Sequence, residues 1–226
     1  MDLSLTGRSS DSPFVESIWR SQSERPGSFI SAAAIHCGLV VTRYQDKTTV
    51  TIRGPETKPT LAHYPADVEF FGIVFKLGAF MPHMPASMIM DRRDLTLPEA
   101  TGKSFWLHGS SWELPTFENA DTFIARLVRE GLLVTEPIVD AVLQGQRQEL
   151  SLRSIQYRFL HATGLTQGAV YQIRRARRAV ALLEQGNSIL DTVHEAGYFD
   201  QAHLTRSLKR FMGQTPAQIA RVKQSV

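Results

Sequence analysis

Through the first half of the chain, apolar residues recur at every second position in short runs separated by turn formers, the period of strands. In GLVVTRYQDKTTVTIRG, residues 38–54, Val50 and Ile52 alternate with Thr49, Thr51 and Arg53, and Gln45-Asp46-Lys47 supplies a polar turn. The segment predicts a β-hairpin. Residues 68–75 set Phe71, Ile73 and Phe75 on one side and Phe70, Gly72 and Val74 on the other, which predicts a strand covered on both faces. Ten of the 11 prolines fall at or before Pro137, punctuation that suits short strands joined by turns. Residues 13–116 therefore read as a β-rich domain closed into a barrel or sandwich. Residues 1–12, rich in Ser, Asp and Gly and without periodicity, read as a flexible arm.

The period changes near Asn119. In ENADTFIARLVREGLL, residues 118–133, Phe123, Ile124, Leu127, Val128 and Leu132 recur at helical spacing. This predicts an amphipathic helix within a bridge over 117–134, which either offers dimer contacts or seals the barrel. Every later signal is helical. Ser151 caps a helix that Gly164 ends, and Thr166 caps a longer one that Gly186 stops. Ser188 with Asp191 has the capping-box spacing for a short helix terminated by Gly197. Asp200 caps the next, with Leu204, Leu208 and Phe211 inward and Gly213 as its stop, and Thr215-Pro216 opens a last one. The fold class is thus α+β in two domains, a β-rich domain followed by an all-α domain over 135–226.

Composition narrows the function. With 42% hydrophobic and 21% charged residues in 226, the chain is neither a collagen, a rod nor a disordered tail. It has no run of about 18 apolar residues, and MDLSLTGRSSDSP lacks the basic-then-apolar order of a secretory signal, so a cytoplasmic protein without membrane contact is expected. The single Cys37 precludes an intramolecular disulfide and a cysteine-cluster zinc site. The net charge of +3 hides a gradient of −1 over residues 1–116, −3 over 117–150 and +7 over 151–226. A basic third on a near-neutral remainder either meets a polyanion or is a well-solvated helical surface.

The spacing of the helices favours the polyanion. Residues 189–211 give a short helix, a turn at Gly197 and a second helix about three residues later, the spacing of a helix-turn-helix. That second helix turns Gln201, Ala202, Thr205, Arg206 and Lys209 outward, the amide, hydroxyl and cations that base edges and phosphates require. Upstream, residues 139–164 repeat the arrangement, with Arg153, Gln156 and Tyr157 outward and Ile155 and Phe159 inward. The helix between the units carries Arg174, Arg175, Arg177 and Arg178 on one side, free for phosphate or paired with Glu184, Asp191 or Glu195. A connector about 25–30 Å long could set two recognition helices into successive major grooves, whose period is about 34 Å.

The run RRARRAVALLEQGNSILDTVHEAGYFDQAHLTRSLKRFMGQTPAQIAR, residues 174–221, resembles the signature of the arabinose-regulator, AraC/XylS, family of transcription factors. The matching positions include Ala179, Leu182, Leu183, Ile189, Gly197, Tyr198, Asp200, Gln201, Leu204, Arg206, Leu208, Lys209, Gly213, Thr215 and Pro216, and SLRSIQYRFLHATGL resembles the family's first recognition helix. Val193 and Leu204 depart from a usual Ala and Phe, and Glu149 stands at the usual turn Gly of the first unit. The resemblance implies base-edge contacts from Arg153, Gln156, Tyr157, Gln201, Ala202, Thr205 and Arg206, and phosphate contacts from Ser154, Lys209 and Arg210. It implies double-stranded DNA as partner, with RNA polymerase, a small-molecule effector and a second copy of the chain as further candidates, and a cupin-like sensor in the β-rich half.

That half shows no specific motif. His36, His63, His83 and His108 are scattered singly without a His-x-His pair, so no metal site is expected, and no cofactor. Phe70, Phe71, Phe75, Phe80, Phe105 and Trp106, with Met81, Met84, Met88 and Met90, suit a filled core or an apolar ligand cavity. Asp91-Arg92-Arg93-Asp94 reads as a charged turn. There is no Gly-rich phosphate loop, no Gly-x-Ser-x-Gly and no paired carboxylates, so the chain reads as a sequence-specific transcription regulator rather than an enzyme. The competing readings are a cysteine-dependent DNA-repair methyl acceptor with a related module, and a protein-interaction module without DNA binding.

Overall fold

The computed structural model describes residues 3–91, 94–101 and 103–222. Arg92 and Arg93 of the expected charged turn lie outside the described residues. The strands are β1 (Leu3–Arg8), β2 (Val15–Ser23), β3 (Gly27–Ser31), β4 (Gly38–Tyr44), β5 (Lys47–Arg53), β6 (Thr60–Tyr64), β7 (Glu69–Phe75), β8 (Ala79–Phe80), β9 (Leu95–Leu97), β10 (Glu99–Thr101), β11 (Ser104–Leu107), β12 (Ser110–Glu113) and β13 (Val134–Thr135). The helices are α1 (Ala120–Arg129), α2 (Pro137–Leu143), α3 (Leu152–Thr163), α4 (Gln167–Gln185), α5 (Ile189–Glu195), α6 (Gln201–Met212) and α7 (Pro216–Val222).

Contacts divide the chain into two compact units. The first comprises Met1–Ser28, His36–Pro55 and His63–Thr166. Its antiparallel sheet runs β1-β2-β7-β4-β5-β9, with the predicted β4-β5 hairpin turning through Gln45 and Asp46. Ile18, Ile73, Leu39 and Ile52 stand opposite one another across four strands and are all buried. The β10-β11-β12 sheet adds Phe105, Leu107 and Trp112 to the same core. The other face of β7 is covered as predicted: the Trp19 ring occupies the space a side chain at position 72 would need, which admits only Gly72.

Two expectations change here. Residues 3–8 are not an arm but strand β1, paired with β2 from Leu3 opposite Ser23 to Arg8 opposite Ile18. The polar residues that suggested mobility serve as anchors. Arg8 donates to the Asp121 carboxylate at 2.7 Å and to the Phe117 carbonyl, and the Ser10 hydroxyl also donates to Asp121. The Ser10 hydrogen bond first, and Arg8 second, hold the Asp121 carboxyl below its ordinary range. The helix expected to bridge the domains is α1, and its Ala120, Phe123, Ile124 and Leu127 join the β core. Its apolar stripe is consumed in sealing that core, with Phe123 edge-on to Trp112 at 5.8 Å and the Arg126 guanidinium 3.9 Å over the Trp112 ring.

The first unit also holds α2 and α3, so the division by contacts falls after Thr166, where the sequence suggested residue 135. The reason is packing. His161 of α3 meets Phe80 of β8 edge-on at 5.3 Å, and Gly164, the left-handed cap of α3 with φ 70°, lies so near Ala86 that an added Cβ would be 3.0 Å away.

The second unit comprises Phe29–Ile35, Glu56–Ala62 and Gln167–Val226. Helices α5, α6 and α7 pack on α4, whose Val170, Ile173, Ala176, Ala179 and Leu183 are buried. Two segments from the β-rich half complete it. The Ala33 N–H donates to the Phe211 carbonyl at 2.8 Å, Ala34 and Glu56 form a β-bridge, and Ile30 and Pro59 lie against Gly213. Their apolar and turn residues carry no helical signal, which is why the sequence did not place them here.

Candidate nucleic-acid interface

The helix-turn-helix of the second unit is α5, a turn at Gly197 with φ 70°, and α6. Asp200 caps α6 by accepting from the His203 N–H at 2.6 Å, and Gly213 ends it in the left-handed conformation. Leu204, Leu208, Phe211 and Met212 are buried with Ser207, whose hydroxyl is hydrogen-bonded to that of Tyr198 at 2.9 Å. With that face fixed inward, the 3.6-residue period must turn Gln201, Ala202, Arg206 and Lys209 outward together, and all four are exposed along with Arg210.

Thr205 differs from expectation in detail. It is half-buried, and its hydroxyl donates back to the Gln201 carbonyl at 2.8 Å, which leaves its methyl and an acceptor lone pair for a base. Arg210 lies over the Phe211 ring at 5.0 Å. Arg206 and Lys209 have no ion-pair partner among the described residues.

Within the first unit, α2 and α3 form the other helix pair. Ser151 caps α3 by accepting from the Ser154 N–H at 3.2 Å, and the two serine hydroxyls are 2.9 Å apart. Arg153, Ser154, Gln156 and Tyr157 are exposed, Tyr157 at 69% with its ring stacked on His161 at 6.1 Å, while Phe159 is buried. The turn does not need glycine at position 149. Gly145 supplies the positive φ, 68°, four residues earlier. Arg158 makes two hydrogen bonds to Glu136, at 2.9 and 2.7 Å, and the same carboxylate caps α2.

The connector arginines also separate. Arg175 stacks on Tyr198 at 4.4 Å and reaches the Gly197 carbonyl, so it braces the α5–α6 turn. Arg177 donates twice to the Ala33 carbonyl, at 2.8 and 3.1 Å. Their partners are carbonyls and a ring, not the carboxylates Glu184, Asp191 and Glu195 that sequence spacing suggested. Arg174 and Arg178 are exposed. Sequence reasoning overlooked Phe199, 92% exposed in the turn before α6. It also treated His83 and His108 as separate, whereas their rings are 4.8 Å apart, and burial first and His108 second lower the His83 pKa. Among the described residues no three His, Cys, Asp or Glu side chains converge as a metal site would require, and no helix is long and apolar enough to cross a membrane.

A cavity of about 460 Å³ opens on the core-side face of the large sheet. Its floor is two cross-strand rows, Ser4, Gln22, Glu69 and Arg43, then Thr6, Arg20, Phe71 and Val41. The Arg20 guanidinium lies 4.7 Å over the Phe117 ring and 3.4 Å from Glu118, and Arg43 is 3.8 Å from Glu69.

The helix-turn-helix domain family model matches residues 146–221. No curated protein matches the chain. Among solved structures, ToxT from Vibrio cholerae O395 aligns over 100% of this chain and 99% of its own, at 7% identity and a TM-score of 0.40. The same protein bound to (E)-4-(8-methylnaphthalen-1-yl)but-3-enoic acid aligns over 97% and 99%, at 7% identity and 0.41.

Proposed function

We propose that the chain is a DNA-binding transcription regulator of the AraC type that reads its operator with two helices, α3 and α6, a reading supported by the match of residues 146–221 to the helix-turn-helix domain model. The carrying observation is the exposed row Gln201, Ala202, Arg206 and Lys209 on a helix whose other face is locked into a core. In this reading Gln201, Ala202, Thr205 and Arg206 meet base edges from α6, and Arg153, Gln156 and Tyr157 do so from α3. Ser154, Lys209 and Arg210 hold phosphates. Functionally, residues 135–226 form the DNA-binding module and 13–116 a sensor or dimerisation domain, in a cytoplasmic protein that addresses RNA polymerase.

The cavity supports the sensor role. Its volume lies within the range of small-molecule sites, and its two arginines and two glutamates over Phe71 and Val41 suit a small polar effector with an apolar edge.

Selection of bound fragments from random duplexes by the purified chain tests the whole reading. It should enrich two short motifs about one helical turn apart, or inverted pairs of them if a homodimer binds, with affinity falling steeply with salt. Equal recovery of all sequences would refute it.

The repair reading required a reactive thiol. Cys37 is half-buried against the β core, and desolvation there pushes its thiol up to about 12, which keeps it protonated at neutral pH. Iodoacetamide at pH 8 should leave Cys37 unmodified in the folded protein and alkylate it in denaturant, and Cys37→Ser should bind DNA as the parent does. The interaction-module reading required a sequestered basic face, which Arg206, Lys209 and Arg210 do not show.

A further inference from the structure

In the position just before a helix N-cap, a large apolar side chain ordinarily packs back onto the fourth helical residue and fixes the entry angle of the chain. Before α6 the pair would be Phe199 and Leu204, on either side of the Asp200 cap. Leu204 is fully buried, yet Phe199 is 92% exposed, more than any other large apolar side chain among the described residues. The packing role has passed to the preceding aromatic. Tyr198 is buried, hydrogen-bonded to Ser207, edge-on to His203 at 5.1 Å and stacked under Arg175. Phe199 therefore has no part in holding the turn together.

Its location gives it another. It lies at the N-terminal end of α6, two and three residues before the exposed Gln201 and Ala202, and it is the N-terminal end of a recognition helix that meets base edges. We propose that Phe199 is a specificity-determining residue of the DNA interface and packs against the 5-methyl group of a thymine in the major groove. The chemistry selects the target. Phe199 has nothing to offer a phosphate, and of the groups displayed on the major-groove floor the thymine methyl is the apolar one. The adjacent Asp200 carboxylate is engaged by the His203 N–H, so it is held on the helix rather than against the duplex. Phe199 thereby adds an apolar reading position to a face otherwise made of amides and cations. The inference rests on α6 entering the major groove.

The test uses the full chain and the duplex recovered by selection, with each thymine of the α6 half-site replaced singly by uracil, which removes only the methyl. The parent should lose about 3- to 10-fold in affinity at one such position. Phe199→Ala should lose a similar factor on the unmodified duplex and nothing further at that uracil, whereas Phe199→Leu keeps most of both. The thermal midpoint should not move, since the ring is not packed. Binding by Phe199→Ala equal to the parent, or an unchanged uracil profile, would overturn the assignment while leaving the two-helix reading intact. If instead Arg206→Ala also binds every duplex as the parent does, both fall together.

Discussion

Leu204→Ala should destabilise the helical unit by about 2–5 kcal/mol and abolish sequence-specific binding at temperatures where the parent is folded. Leu204 is fully buried in α6, beside Ser207, Leu208 and Phe211, and it is the residue whose burial dictates that Gln201, Ala202 and Arg206 point outward. Truncation leaves a cavity against helices held by α4 and by the Tyr198–Ser207 hydrogen bond, which limits how far they can collapse to fill it. Denaturant titration followed by far-UV circular dichroism measures the loss, and an unchanged midpoint would contradict the packing described. The pattern that the sequence resembles has a larger aromatic here and a smaller residue at the position of Val193. Val193 of α5 and Leu204 of α6 are both buried. Leu204→Phe alone should overpack the site by about 1–3 kcal/mol, and Val193→Ala in the same chain should recover much of that.

Where local chemistry decided the structure, it could be read from residues alone. The caps at Ser151, Ser188 and Asp200 and the stops at Gly164, Gly197 and Gly213 all stand where predicted, because a cap needs one side chain and one nearby N–H, and a left-handed stop needs only a glycine. The hairpin at residues 38–53 and the doubly covered strand β7 are legible for the same reason, their period being local. Partners far apart in the chain were not. Arg158 and Glu136 are 22 residues apart, Arg177 and Ala33 144, and nothing at either member announces the other. Strand β1 escaped because Leu3–Arg8 has few apolar residues, and its order comes from an edge of β2 and from Asp121, 113 residues beyond Arg8. The candidate interface shows the same division. Which residues α6 turns outward follows from periodicity, but that Arg175 and Arg177 are spoken for and Arg206 is not required the fold.

Arg206→Ala should weaken specific binding by about 1–3 kcal/mol, a 5- to 150-fold loss, while binding to random duplex falls much less. Arg206 is exposed on the outward row of α6, one residue past Thr205 and a full turn beyond Ala202, and no carboxylate competes for its guanidinium among the described residues. Its planar fork can donate twice to guanine, so removal should relax preference at one base pair rather than uniformly. Lys209 lies three residues on, exposed and equally unpaired, but its ammonium is a point charge without directional choice. Lys209→Ala should weaken all duplexes alike and lower the slope of log affinity against log salt by about 1. Arg158→Ala supplies the contrast. Its guanidinium is already committed to Glu136, so its loss should reach DNA only through the α2 cap and α3. Binding isotherms at several salt concentrations on selected and scrambled duplexes separate the three. Parallel losses on both duplexes for Arg206→Ala would assign that residue to phosphate and remove guanine readout from α6.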